Sequence, residues 1–173
     1  LGAEYKIRFM LRKNVCEIML DTTGDGLHKR GYRRNSMEAP IRETLAATIA
    51  DLGRVRRDSL VEDPFCGSGT LLIEAAQKAM NIAPGLKRRF AAERYSFVPA
   101  AIWAEQRQKA LADSKLDVGF EAFGYDIDPA AVALANANAK LAGVEKRCHF
   151  EVADVADFAA RSEAKVGGQA VLG

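Results

Sequence analysis

The chain has 173 residues, 49% of them hydrophobic and 28% charged, which is the size of one domain with enough apolar content for a core. No stretch approaches the roughly 20 uninterrupted apolar residues of a membrane span, and LGAEYKIRFMLRK sets charges inside its first apolar run, unlike a secretory leader. Cys16, Cys66 and Cys148 are odd in number and far apart, so neither a disulfide framework nor a metal site is expected, and a reducing cytoplasm suits them best. Net charge is +2, divided unevenly: positions 1–57 carry 12 Lys/Arg against 7 Asp/Glu, and the remainder 13 against 16. A basic front suits a polyanionic partner on one face, or is simply a solvated surface.

From Glu4 to Leu20 the pattern alternates as in two strands, with Arg12-Lys13-Asn14 between them, which predicts a β-hairpin closed by the polar turn Asp21 to Gly26. Leu27-His28-Lys29-Arg30-Gly31-Tyr32-Arg33-Arg34 then groups five cationic or protonatable side chains around one tyrosine. It reads either as a nucleic-acid contact or as a solvated loop whose Tyr32 packs on the core. Pro40 suits a first helical turn. Ile41, Leu45, Ile49 and Leu52, with Ala46 and Ala50, form an apolar stripe at helical spacing that ends at Gly53. Arg54, Arg56 and Arg57 complement the end of that helix without requiring a partner.

Leu60 to Ala76, LVEDPFCGSGTLLIEAA, is the stretch around which the rest is arranged. A short apolar run ends at Asp63-Pro64; a glycine-bearing loop, Phe65 to Thr70, follows; then a helix begins with Leu71, Leu72 and Ile73. Gly67 and Gly69 permit unusual dihedrals and close approach of a ligand, and N–H groups at the helix start are expected to face the crevice. Asp63 would repel a pyrophosphate and hold an ammonium or hydroxyl. Asn81 to Pro99 reads as an irregular insertion with the basic run Lys87-Arg88-Arg89, a surface loop anchored by Phe90, Tyr95 and Phe97. Ala100 to Leu116 is predicted helical, packing through Ile102, Trp103, Ala110 and Leu111. Phe120 to Tyr125 is a strand, Ala130 to Leu141 a helix capped by Gly143, and Cys148 to Val152 a further strand. The order β-α-α-β-α-β with short junctions predicts an α/β fold with a doubly wound, mostly parallel sheet, preceded by the hairpin.

Asp63, Asp126 and Asp154 each follow an apolar run at its carboxyl end, and in an open α/β sheet those ends line one crevice. One acidic strand end is ordinary, because Asp also caps helices; three in successive strands point to a ligand. A dinucleotide fingerprint would need a glycine where Leu72 stands, and a P-loop would need a lysine after Gly69. Both phosphate-type readings weaken.

DPFCGSGTLLIEAA resembles the first motif of class I S-adenosylmethionine-dependent methyltransferases that act on amino groups. LDTTGDGLHKRGYR, followed by APIRETLAATIADL and GYDIDP, is similar to the RNA methyltransferases that carry an N-terminal THUMP domain and modify guanine N2 in ribosomal RNA or tRNA. The resemblance runs from about Tyr5 to Phe158 and implies a Rossmann-like class I methyltransferase fold. By that resemblance Asp63 with Phe65, Cys66, Gly67, Ser68 and Gly69 would hold the methionine part of S-adenosylmethionine. Asp126 would accept from the ribose hydroxyls and Ile127 would lie against the adenine. Asp154 would take the adenine amino group, the Val155 N–H would meet a ring nitrogen, and Ala39-Pro40-Ile41 would stand beside the methionine tail.

The family's Asn-Pro-Pro-Tyr-type catalytic segment has no counterpart here, so no catalytic residue is assigned, and Gln169 to Leu172 is at most a remnant of a fourth strand. Residues 1–26 are expected to be a hairpin linking to an N-terminal RNA-binding domain outside this sequence. Residues 27–173 are expected to be the cofactor-binding half of an incomplete methyltransferase domain, inactive alone. RNA is the expected partner. A non-catalytic module that binds RNA or cofactor, and a DNA adenine-N6 methyltransferase, are the rival readings.

Overall fold

The computed structural model describes residues 4–33 and 40–158. Strands β1 (Ile7–Arg12) and β2 (Val15–Leu20) pair antiparallel, joined by Lys13 and Asn14 alone. Both turn residues have left-handed φ, 50° and 61°, the geometry that matches the twist of a two-residue hairpin. The register sets Ile7, Phe9 and Leu11 opposite Leu20, Ile18 and Cys16 on one face, and every residue of both strands is exposed. Asp21 closes the hairpin by accepting from the N–H groups of Thr23 (3.0 Å) and Gly24 (3.2 Å).

Helix α1 runs Glu43–Leu52, so Pro40 lies before the first turn rather than in it, and the extended Arg42 occupies the N-cap. Its start coincides with Glu43, buried and paired with Arg33 at 3.4 Å. The apolar stripe is only half buried: Ala46 and Ala50 face inward, whereas Leu45, Ile49 and Leu52 are exposed. The contact with α2 (Thr70–Ala79) is therefore made by small side chains, which allow close helix approach. Gly53 ends α1 with a right-handed backbone, and it is Arg54 that turns left-handed, at φ 53°.

Strands β3 (Leu60–Asp63), β4 (Glu121–Asp126) and β5 (Cys148–Val152) form one wholly parallel sheet in the order β3-β4-β5. The register aligns Asp63 with Gly124 and Asp126 with Val152. Helix α2 follows β3, and α4 (Pro129–Ala142) follows β4; both pack on the sheet and on each other. Leu72, Ile73, Phe120, Val144 and the alanines of α2 and α4 fill the core between them. This is the α/β class expected.

Helix α3 (Ala100–Ala112) is shorter than expected and buries no residue completely. Ile102 and Leu111 are exposed, and Trp103 is half-buried, stacked on Phe90 with centroids 5.5 Å apart. The backbone leaves the helix where Lys115 N–H donates to Met80 O (2.7 Å) and Asn81 Nδ2 donates to Asp113 O (3.0 Å), tying its end to the end of α2. Among the described residues no helix is long and apolar enough to cross a membrane, and no group of three or more His, Cys, Asp or Glu could hold a metal ion.

Candidate functional site

Asp63 and Asp126 are the last residues of β3 and β4, and Asp154 stands two past the end of β5. Adjacent parallel strands carry the three carboxylates to one edge, because all three run in the same direction. The glycine loop sits on that edge. Its Cys66 N–H donates to Tyr125 O (2.8 Å), and Gly67 N–H donates to Asp126 Oδ2 (2.9 Å), so β4 anchors the loop that leaves β3. From the other side, buried Asn138 of α4 donates to Ser68 O at 3.1 Å.

The two glycines differ in what they serve. Both are left-handed, Gly67 at φ 51° and Gly69 at φ 77°. A Cβ on Gly67 would meet nothing within 4 Å, whereas one on Gly69 would lie 2.7 Å from Phe150 Cζ and 3.0 Å from Ala135 Cβ. Gly69 is required by the interior; the open side of Gly67 faces free space.

Ahead of the helix start, whose own first N–H groups were expected to face the crevice, the N–H groups of the loop are mostly engaged within the protein. Phe65 N–H donates to Asp63 Oδ1 (3.0 Å) and Gly69 N–H to Cys66 O (2.8 Å), in addition to the Cys66 and Gly67 bonds. Most of the loop's backbone donors are thus spent on the carboxylates and carbonyls around it. This is a poor cradle for phosphate.

Asp126 also accepts from Asp128 N–H through Oδ1 (3.0 Å), so each of its oxygens already holds one backbone N–H. A carboxylate offers about four lone-pair sites, which leaves acceptor capacity for ligand hydroxyls. Asp154 caps the 3₁₀ turn Val155–Asp157, accepting from Ala156 N–H at 2.9 Å. Burial, and secondarily the Asp126 charge, push the Asp63 carboxyl above its ordinary value, against the lowering effect of Phe65 N–H. Burial likewise pushes the Cys66 thiol up to about 12, so Cys66 is a packing residue here rather than a nucleophile.

Phe65 and Ile127 are 71% and 72% exposed and Val155 is also exposed, leaving apolar side chains uncovered around the acidic edge. Pro40 and Ile41 are half-buried ahead of α1, while Ala39 and Gln169 to Leu172 lie outside the described residues. Asn138 and Phe150 support the loop and escape sequence reasoning. An amide among the alanines of α4, on the face of Ala131, Ala135 and Ala142, was the available signal for Asn138. Phe150 is the large ring that two glycines make room for, since a Cβ on Gly124 would also stand 2.6 Å from it.

Tyr32 is 1% exposed and donates to Glu74 Oε1 of α2 at 3.0 Å, with Arg30 3.4 Å from Glu74 Oε2. Of the two readings of the basic segment, the packing of Tyr32 on the core is what the structure shows.

A family model described as "RMKL-like, methyltransferase domain" matches residues 30–168. The chain is 42% identical over 168 residues to the ribosomal RNA large subunit methyltransferase K/L of Shewanella baltica, spanning 94% of this chain and 24% of that protein. Among solved structures, SMU.472 complexed with SAH is 41% identical with a TM-score of 0.82, over 91% of this chain and 41% of that one. A structure from Listeria monocytogenes described as a "predicted N6-adenine-specific DNA methylase" is 40% identical with a TM-score of 0.87, over 91% and 42%. The chain thus spans less than half the length of each of these relatives. The carboxylate-lined edge and its glycine loop fall within the matched region, and the chain belongs to the RMKL-like methyltransferase domain family.

Proposed function

We propose that this chain is the cofactor-binding part of an enzyme that transfers a methyl group from S-adenosylmethionine to the exocyclic N2 of a guanine in ribosomal RNA or tRNA, acting in the cytoplasm. The observation that carries the cofactor reading is the acidic edge itself: three carboxylates at adjacent strand ends, beside a glycine whose outer side is open. S-adenosylmethionine carries an ammonium, two ribose hydroxyls and an adenine amine and no phosphate, so its polar groups call for acceptors. The residues present fit it. Asp63 and the Phe65 to Gly69 loop would hold the methionine part, Asp126 the ribose, and Asp154 with Val155 N–H the adenine edge against Ile127. When bound, the cofactor supplies an electrophilic methyl on a sulfonium; this chain's residues bind and orient it. SMU.472, solved with SAH, supports the choice of cofactor.

The RNA substrate rests on the named activity of the Shewanella relative; guanine N2 rests on the motif resemblance. Duplex DNA adenine is the second reading, favoured by the description of the Listeria structure. Calorimetric titration of S-adenosylmethionine and of SAH into the chain tests the cofactor assignment. Binding of either, lost in Asp126→Ala, is expected; no binding by a folded sample refutes it. Methyl transfer by the full-length parent to RNA rather than duplex DNA separates the two substrates, and RNA binding without cofactor binding would mark a non-catalytic module.

A further inference from the structure

The segment Asp21 to Gly31 is held down on the insertion between α2 and α3, and Arg88 is the clamp. Its guanidinium is buried, donating from Nη1 to Gly26 O (2.8 Å) and from Nη2 to Asp25 O (2.5 Å), with the Phe90 ring 4.9 Å away. Ala91 and Ala92 N–H groups donate to Thr23 O and Thr22 O, and Tyr95 Oη donates to Asp21 O (2.5 Å). Gly31 passes so close that a Cβ there would stand 2.5 Å from Lys87 O. The two basic stretches that the sequence keeps some sixty residues apart thus form one continuous floor.

Two open clefts of about 540 and 550 Å³ lie on this floor and share Asp25 and Arg89 in their walls. Their basic side chains include His28, Lys29 and Arg33 on one side and Lys6 and Arg94 on the other. The acidic groups present are largely committed: Glu43 pairs with Arg33, Asp25 with Lys29, and Glu93 with Arg107 at 2.5 Å. Arg89 and Arg94 are exposed and make no ion pair among the described residues. Three residues past Arg94 in the chain and outside the lining of both clefts, Phe97 is 64% exposed and packs against the rings of Tyr95 and Tyr5, with centroids 5.5 and 6.1 Å apart.

We propose that these joined clefts are an RNA-binding groove, in which Arg89 and Arg94 contact backbone phosphates, while the exposed ring of Phe97, three residues past Arg94 in the chain, receives an unpaired base. The proposal rests on the reading of RNA as the substrate and adds where this chain grips it. Unpaired guanidinium groups in a cleft match phosphodiester oxygens, and a largely exposed aromatic ring matches a nucleobase better than a lipid headgroup or an acidic peptide. The groove is also tied to the candidate site. Arg30 and Tyr32, which flank Gly31, bond to Glu74, five residues and about 7.5 Å of helix beyond Gly69.

The test is fluorescence anisotropy of the chain with a labelled RNA stem-loop that has a single-stranded flank, titrated at several salt concentrations. Arg89→Ala with Arg94→Ala should reduce the magnitude of the log–log salt slope by about 1.4, at about 0.7 per single-strand phosphate contact, and weaken binding roughly 25-fold at about 0.1 M salt. Phe97→Ala should weaken binding to the flanked stem-loop more than to a blunt duplex. Replacing Arg56 and Arg57, exposed and outside both clefts, should change neither slope nor affinity. Wild-type slope and affinity in the Arg89/Arg94 variant overturn the proposal. So does binding of a poly-glutamate peptide or anionic vesicles as tight as that of RNA. Cofactor titration on the same samples keeps the two readings apart: failure to bind S-adenosylmethionine refutes the site assignment, whereas the groove stands or falls on the RNA titration.

Discussion

Gly67→Ala and Gly69→Ala should separate the residue proposed to serve a ligand from one that serves the core. Both positions carry a left-handed φ, which costs an alanine about 1–2 kcal/mol. At Gly67 nothing more is added, because the new methyl enters open space. At Gly69 it would stand 2.7 Å from Phe150 Cζ and 3.0 Å from Ala135 Cβ, both within the core. Relieving such a clash costs a further roughly 1–3 kcal/mol. Gly69→Ala should therefore lose about 2–5 kcal/mol in urea denaturation, and Gly67→Ala about 1–2. The order reverses for the cofactor. Gly67→Ala should lose S-adenosylmethionine binding at least tenfold in calorimetry while folded, because its methyl projects where the ligand would lie. Wild-type cofactor affinity in Gly67→Ala would refute the placement of the ligand on that side of the loop. Equal destabilisation by the two changes would refute the packing account of Gly69.

Asp126→Ala removes a 2.9 Å charge-assisted bond to Gly67 N–H as well as the proposed ribose acceptor; it should cost about 1.5–3 kcal/mol and abolish measurable cofactor binding. Tyr32→Phe deprives the buried Glu74 carboxylate of a donor and should destabilise by about 1–3 kcal/mol in the same denaturation assay, with cofactor affinity within twofold of wild type. Cys66 and Cys148 are buried, with thiols pushed up to about 12, whereas Cys16 is exposed. One thiol should therefore react rapidly with a chromogenic disulfide in the native chain, and Cys16→Ser should remove that phase. The carboxyls of Asp63 and Glu74 are both raised, chiefly by burial, so the folded chain holds more protons than the unfolded one above their ordinary values. Their contribution to stability is thus lost as pH rises through the raised range. Binding of an ammonium needs ionised Asp63, so cofactor affinity should fall as pH drops through that same range, and a pH-independent affinity would contradict the ammonium assignment.

The sheet and its acidic edge were legible because both follow from local pattern. A short stretch carrying apolar residues that runs into Asp marks a parallel strand and its carboxyl end, and Cys148–Val152 was bounded to the residue. Helix faces were less legible. In α1 the stripe of Ile and Leu pointed to burial of the large residues, yet the contact with α2 runs through Ala46 and Ala50, and no periodicity says which side a neighbour will take. In α3 Ile102 and Leu111 remain exposed for the same reason. Arg88 was hidden in a different way. Within Lys87-Arg88-Arg89 nothing distinguishes the middle cation, and its burial is decided by carbonyls of residues some sixty positions earlier.

The engagement of the loop's own N–H groups gives a physical reason for the proposed selection of a ligand by carboxylates. A loop that presents its backbone donors outward binds an anion, and its helix dipole adds to the attraction. Here Asp63 and Asp126 hold the N–H groups of Phe65 and Gly67, which ties the loop to both strand ends and leaves lone pairs over on each carboxylate. What this edge then offers a ligand is acceptor capacity and negative charge. A ligand with donors and a cation gains from both, whereas one with phosphates meets repulsion from two carboxylates. Asp126→Asn distinguishes this from a merely structural role. An asparagine can still accept through its one carbonyl oxygen, so Gly67 can keep its bond and the fold should lose no more than about 1–2 kcal/mol. The charge and the second acceptor are gone, and cofactor affinity should fall at least tenfold. A variant that folds normally and binds S-adenosylmethionine as well as wild type would show that Asp126 holds the loop and not the ribose.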